Sequence, residues 1–148
     1  MAPIGGPTGG GQAGFGSGGS FTGPAEALEI VNDFAYAYSG TYPASTTPAT
    51  RLKFTTGNYL FVGEVRQVGM IDPDGNLGDG RIEVVTVKMN GAIILLSKVD
   101  AQNEAQPSAD VMPIIIPAYT EMEFIVDSTS AEANFLGTLS VTGRIYRG

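Results

Sequence analysis

The sequence predicts an all-β fold, an antiparallel β-sandwich of about eight strands, and three observations carry that prediction. Two segments, Thr120 to Asp127 and Leu136 to Tyr146, alternate apolar and polar residues with a period of two, the spacing of a strand with one buried face. Clusters of Gly, Pro, Asn, Asp and Ser punctuate the chain and leave loops of two to eleven residues between strand candidates. One of these clusters, Asn90-Gly91, is a strong two-residue hairpin signal, because a type I′ turn needs positive φ at both central positions. Short strands at this spacing belong to sandwiches or barrels, and an eight-stranded jelly roll with a Gly-rich extended N-terminal arm is the specific expectation. No internal repeat is visible.

Residues 1–24 stand apart from the rest. They hold 10 of the 21 glycines and no charged residue, and their only large apolar side chains are Met1, Ile4, Phe15 and Phe21. Such a segment buries too little surface to offset the entropy of ordering it, so it reads as a flexible tail or as an arm. Glycine lets backbone lie close against another subunit, with Ile4, Phe15 and Phe21 as anchors, and the lack of charge favours the arm. The sandwich domain then occupies residues 25–148.

Pro24, Glu26 and Glu29 suit a helix start, so residues 24–31 are expected as a short helical turn or coil. From about Asp33 to Tyr42 the aromatics Phe34, Tyr36 and Tyr38 alternate with Ala35, Ala37 and Ser39, which fits a strand. A helix through Tyr38 is the competing reading, since Leu28, Val31, Phe34 and Tyr38 are spaced three, three and four apart. Residues 43–50 are a loop of turn formers, and Arg51 to Thr55 is a short strand. Tyr59 to Val68 follows as a strand whose first half, YLFV, is apolar on both sides, as a strand central to a sandwich would be. Met70 to Gly80, dense in Asp, Gly, Asn and Pro, is a connector.

Arg81 to Met89 reads as a strand with a change of phase between Val84 and Val85, as a β-bulge would produce. Ala92 to Val99 is its hairpin partner, and Asp100 to Asp110 is a polar, exposed excursion. Pro113 and Pro117 bracket Ile114-Ile115-Ile116, compatible with an edge or a strand start. Met122, Phe124 and Val126 share one face of the next strand, and Leu139, Val141 and, past Gly143, Ile145 share one face of the last.

Composition narrows the function. The 148 residues contain no cysteine and no histidine, which removes disulfides, thiolate metal sites and the commonest general base. The net charge of -7, from 15 acidic against 8 basic residues, makes nucleic acid and anionic membrane poor partners, since both demand Lys and Arg. No apolar window approaches the roughly 18 residues of a membrane helix. The N-terminus lacks the basic and apolar regions of a secretory signal, so cytoplasmic synthesis is expected. No cofactor is expected.

Three constellations merit weighing. Asp72, Asp74, Asn76 and Glu83 fall at places one, three, five and twelve of a calcium loop, but Leu77 stands where that loop needs glycine, and Glu83 falls in an expected strand. A solvated hairpin loop is the simpler reading. Glu121 and Glu123 share a strand face at about 7 Å, a separation glycosidases use, although alternating acids on an outer strand face ordinarily meet only solvent. Tyr36, Tyr38, Tyr42 and Tyr59 can serve as contact aromatics or as a sugar platform, since tyrosine offers an apolar face and a polar edge. No catalytic residue stands out.

The segments FAYAYSG (34–40), LKFTTGNYLFVG (52–63), VKMNG (87–91), IIIPAYTEMEFIVD (114–127) and TLSVTGRIY (138–146) taken in order resemble a pattern of small β-sandwich virion structural proteins of tailed bacteriophages. The resemblance covers most of 33–147 and excludes the Gly-rich arm. It implies a decoration, minor head or fibre-associated protein of the virion, homo-oligomeric, with a trimer favoured, contacting other capsid proteins and lacking enzyme activity.

Overall fold

The computed structural model describes residues 28–71, 81–101, 109–129 and 135–148. These form nine strands and no helix: β1 (Glu29–Val31), β2 (Phe34–Pro43), β3 (Ala49–Thr55), β4 (Leu60–Ile71), β5 (Arg81–Met89), β6 (Ala92–Ala101), β7 (Ala109–Ile116), β8 (Glu121–Ser128) and β9 (Leu136–Tyr146). They build two antiparallel sheets, ordered β1-β2-β9-β4-β7 and β3-β8-β5-β6.

The pairing is nested. β5 pairs with β6, β4 with β7, β3 with β8 and β2 with β9. The chain is thus one long hairpin, folded back at Asn90-Gly91 and rolled so that successive pairs alternate between sheets. That is the jelly roll, and β1 adds a short hairpin to one edge. Asn90 at φ 50 and Gly91 at φ 84 supply the two positive dihedrals the central turn needs. Asn90 also ties the tip to the neighbouring strand: its N–H donates to Glu121 O at 2.8 Å, and its Oδ1 accepts from Glu121 N at 2.9 Å.

The core lies between the sheets. Phe54, Phe61 and Phe124 supply its largest fully buried side chains, joined by Leu52, Met122, Ile116 and Leu139. On the first half of β2 the small residues Ala35 and Ala37 face inward and Phe34, Tyr36 and Tyr38 face outward.

Several expectations change. Residues 29–31 are strand rather than helical turn or coil, because their register against Phe34–Tyr36 extends the sheet. β5 keeps its period throughout. Glu83, Val85 and Val87 all face inward, so the apparent change of phase is a carboxylate occupying an apolar place. The irregularity in that hairpin falls later, where Val87 opposes Leu95 and Lys88 opposes Ile93, leaving Ile94 as the extra residue on β6. β9 meets its expectation, with Leu139, Val141 and Ile145 on one buried face. Pro113 sits within β7, tolerated because β7 is an edge strand.

Four of the five described connections between consecutive strands, β1–β2, β3–β4, β5–β6 and β7–β8, lie at one end of the sandwich, here the turn end, and the β2–β3 connection at the other. At the turn end, two Thr-bearing turns interlock. Buried Thr56 donates from Oγ1 to Pro117 O at 2.7 Å and accepts from Thr120 N at 2.8 Å, while Thr56 N donates to Thr120 O at 3.0 Å.

Candidate contact surface and buried polar cluster

The outer face of the five-stranded sheet departs from the rule that an antiparallel sheet turns polar residues to water. Registers place its side chains in rows across the strands. Phe34 on β2 opposes Arg144 on β9, which opposes Val62 on β4, which opposes Ile115 on β7. Beside that row, Tyr146 opposes Leu60. On the other side Tyr36, Thr142, Glu64 and Pro113 align, followed by Tyr38, Ser140, Arg66 and Val111. Phe34 is 57%, Ile115 61% and Tyr146 52% exposed, and Leu60, Val62 and Val111 are also open. The apolar-on-both-sides reading of YLFV is therefore met on one side only: Phe61 is buried, while Leu60 and Val62 face outward with nothing among the described residues covering them.

Three charged residues stand on this face: Glu64 and Arg66, paired at 3.4 Å, and Arg144. The Arg144 guanidinium lies 5.0 Å from the Phe34 ring centroid and 3.9 Å from Asp33, which also faces Arg147 at 3.9 Å. Both Asp33 ion pairs are exposed and contribute little to stability. They place a polar rim at the turn end of an apolar patch.

The four tyrosines do not gather on one surface. Tyr36 and Tyr38 stand side by side on the outer face, ring centroids 5.0 Å apart. A register shift between Tyr38 and Thr41, with Gly40 at φ 69, reverses the phase of β2. Tyr42 is therefore turned into the core, and Tyr59 packs half-buried against it. Glu121 and Glu123 sit on the outer face of the four-stranded sheet. Glu123 lies between Lys53 and Lys88 in register and accepts from Thr50 Oγ1 at 2.6 Å. That is a cross-strand ladder of opposite charges.

A second polar assembly lies inside the sandwich, at the end away from the interlocked turns. Glu83 is 1% exposed, and its Oε1 accepts from Tyr42 Oη at 3.1 Å and from Gln67 Nε2 at 3.0 Å. Two glycines make room for it: a Cβ at Gly69 would stand 2.5 Å from Oε1, and one at Gly137 would stand 2.9 Å from Oε2. Burial pushes the Glu83 carboxyl above the usual carboxylate range, against the lowering effect of its two donors and of Arg51. Tyr42 is raised as well, first by burial and then by the adjacent carboxylate. Arg51 stacks over the Tyr42 ring at 4.8 Å. Sequence reading placed Glu83 at the twelfth position of a calcium loop. Its carboxylate points into the core, and Asp72, Asp74 and Asn76 lie outside the described residues. Among the described residues no three acidic side chains converge as a metal site. Ile4, Phe15 and Phe21 also lie outside the described residues.

No protein-family model and no curated protein matches the sequence. Among solved structures the chain is similar to the crystal structure of the infectious bursal disease virus VP2 subviral particle, at 11% identity and a TM-score of 0.42. It is also similar to the structure of the infectious bursal disease virus Gx strain, at 15% identity and a TM-score of 0.38. Each match covers 75% of this chain and 32% of the other, so the chain spans about a third of the length of those structures. The jelly-roll assignment stands on the strand order itself.

Proposed function

We propose that the protein is a virion structural subunit, of the decoration or minor capsid type found on tailed bacteriophages, working through protein–protein contacts on the particle. The observation that carries this reading is the uncovered apolar outer face of the five-stranded sheet, with Phe34, Val62 and Ile115 in one row. Exposed apolar patches of a few hundred Å² mark interaction sites, and here the patch lies on a sheet, the flattest surface a sandwich offers. The assignment to phage particles draws its support from the ordered sequence resemblance described above. In this reading the protein contacts copies of itself and other capsid proteins, and a trimer is the expected self-assembly. Light scattering on the full chain over a range of concentrations tests it. A stable homo-oligomer is the expected result, and a monomer at every concentration would contradict it.

The side-by-side Tyr36 and Tyr38 rings favour a second reading, a receptor- or carbohydrate-binding module of a phage fibre or spike. That reading predicts glycan affinity that falls about tenfold or more for Tyr36→Ala or Tyr38→Ala, the loss of about 1.4 kcal/mol of contact. Glycan-array binding indifferent to both substitutions would remove it.

A further inference from the structure

We infer that the outer face of the five-stranded sheet is the docking site for the uncharged N-terminal segment of a neighbouring copy, with Phe15 and Phe21 as its anchors. The inference rests on the contact-surface reading above and names what occupies that surface.

Size argues against simple stacking of two such faces. The rows of this face span four strands, roughly 19 Å across, and about 23 Å along β4 from Leu60 to Arg66, roughly 440 Å² in which apolar side chains are interspersed with Ser140, Thr142, Arg144 and the Glu64–Arg66 pair. Two faces in contact would bury on the order of 900 Å², below the roughly 1,200 Å² at which stable specific interfaces begin. An additional covering element is required, and the chain has one. Twenty-seven residues precede Leu28, and the first 24 of them carry no charge. A charged segment would lose hydration on this face; this one has little to lose.

Spacing and composition fit the patch. Phe15 and Phe21 are six residues apart, roughly 20 Å in an extended chain, which matches the width of the four strands. Between them stand Gly16, Ser17, Gly18, Gly19 and Ser20, small enough for backbone to lie flat on outward-facing side chains. The described chain begins at Leu28, directly before β1, the edge strand of this same sheet. Phe21 and Phe15 stand 7 and 13 residues before Leu28, so in an extended chain they reach roughly 24 and 44 Å from it, far enough to touch a directly adjacent molecule. Delivery from a neighbour lets the patch work between copies, as the proposed function requires; delivery from the same chain would only hide it.

The absence of native cysteine makes the test clean. Full-length chain bearing Phe21→Cys and Ile115→Cys is oxidised at low concentration and run on a non-reducing gel. Phe21→Cys with Lys53→Cys, an exposed position on the opposite sheet, is the control. Disulfide-linked multimers forming at least tenfold faster than in the control are expected. An intramolecular disulfide, or multimers no faster than the control, would overturn the inference. The wild-type mass by light scattering is read in parallel. An oligomer without the selective cross-link leaves the contact role standing and removes only the exchanged segment.

Discussion

Glu83 concentrates what is unusual at the level of single residues. A buried carboxyl raised above its ordinary range binds a proton on folding. Its contribution is undiminished below the unfolded-state pKa and is lost as pH rises through the folded-state pKa. Stability should therefore fall with rising pH above the ordinary carboxylate range, by up to about 1.4 kcal/mol per pH unit. Glu83→Gln keeps an acceptor for Tyr42 and Gln67 and removes the proton. The variant should match wild type near pH 4 and exceed it at pH 8, with Tm followed against pH. Equal slopes for the two proteins would contradict this. Thr56 makes a second residue-scale prediction. Removing its hydroxyl leaves Thr120 N–H short of its side-chain acceptor in a buried turn, so Thr56→Ala should cost about 1–3 kcal/mol in urea denaturation, and Thr56→Ser much less. Neither role was legible in sequence. Glu83 registered as the twelfth place of a calcium loop and, through the change of phase in its strand, as a broken apolar period, and Thr56 only as part of a turn.

At the level of elements, the strands were readable and their two faces were not. Period two located β2, β8 and β9 to within a few residues, and turn chemistry located the β5–β6 hairpin. Which side of β4 and β7 is covered depends on partners that sequence periodicity does not encode, so an apolar run such as Leu60-Phe61-Val62 reads as doubly buried. β1 was missed because three residues carry no period, and its strand state comes from pairing with β2. The reversal of phase in β2 at Gly40, which separates Tyr38 from Tyr42, likewise needs the register with β9 to be seen. The hairpin tip offers an element-scale test. A Cβ at Gly91 meets nothing within 4 Å, so Gly91→Ala is strained only through its φ of 84. The left-handed penalty of about 1–2 kcal/mol exceeds the unfolded-state entropy gained by losing a glycine. A net loss of about 1 kcal/mol with unchanged m value is expected in urea titration, and a stabilised variant would contradict the turn geometry.

For the molecule as a whole, nested pairing has two consequences. β2 and β9 join opposite ends of the described chain, so most pairing is non-local, and folding should fall in the millisecond-to-second range of all-β domains in stopped-flow refolding. The same rolling leaves one sheet face with Phe34, Leu60, Val62, Val111, Ile115 and Tyr146 exposed and nothing among the described residues to cover them, which is the ground for the proposed role in assembly. The most direct measurement is the solution mass of the full chain by light scattering, wild type beside the double variant Val62→Asp, Ile115→Lys, which places opposite charges on a cross-strand pair. Both side chains are exposed, so the variant should keep its Tm within a few degrees and remain folded by circular dichroism. A wild-type oligomer that the variant dissociates to monomer is the predicted result. An oligomer unchanged by the two charges would place assembly elsewhere on the molecule and contradict the contact surface.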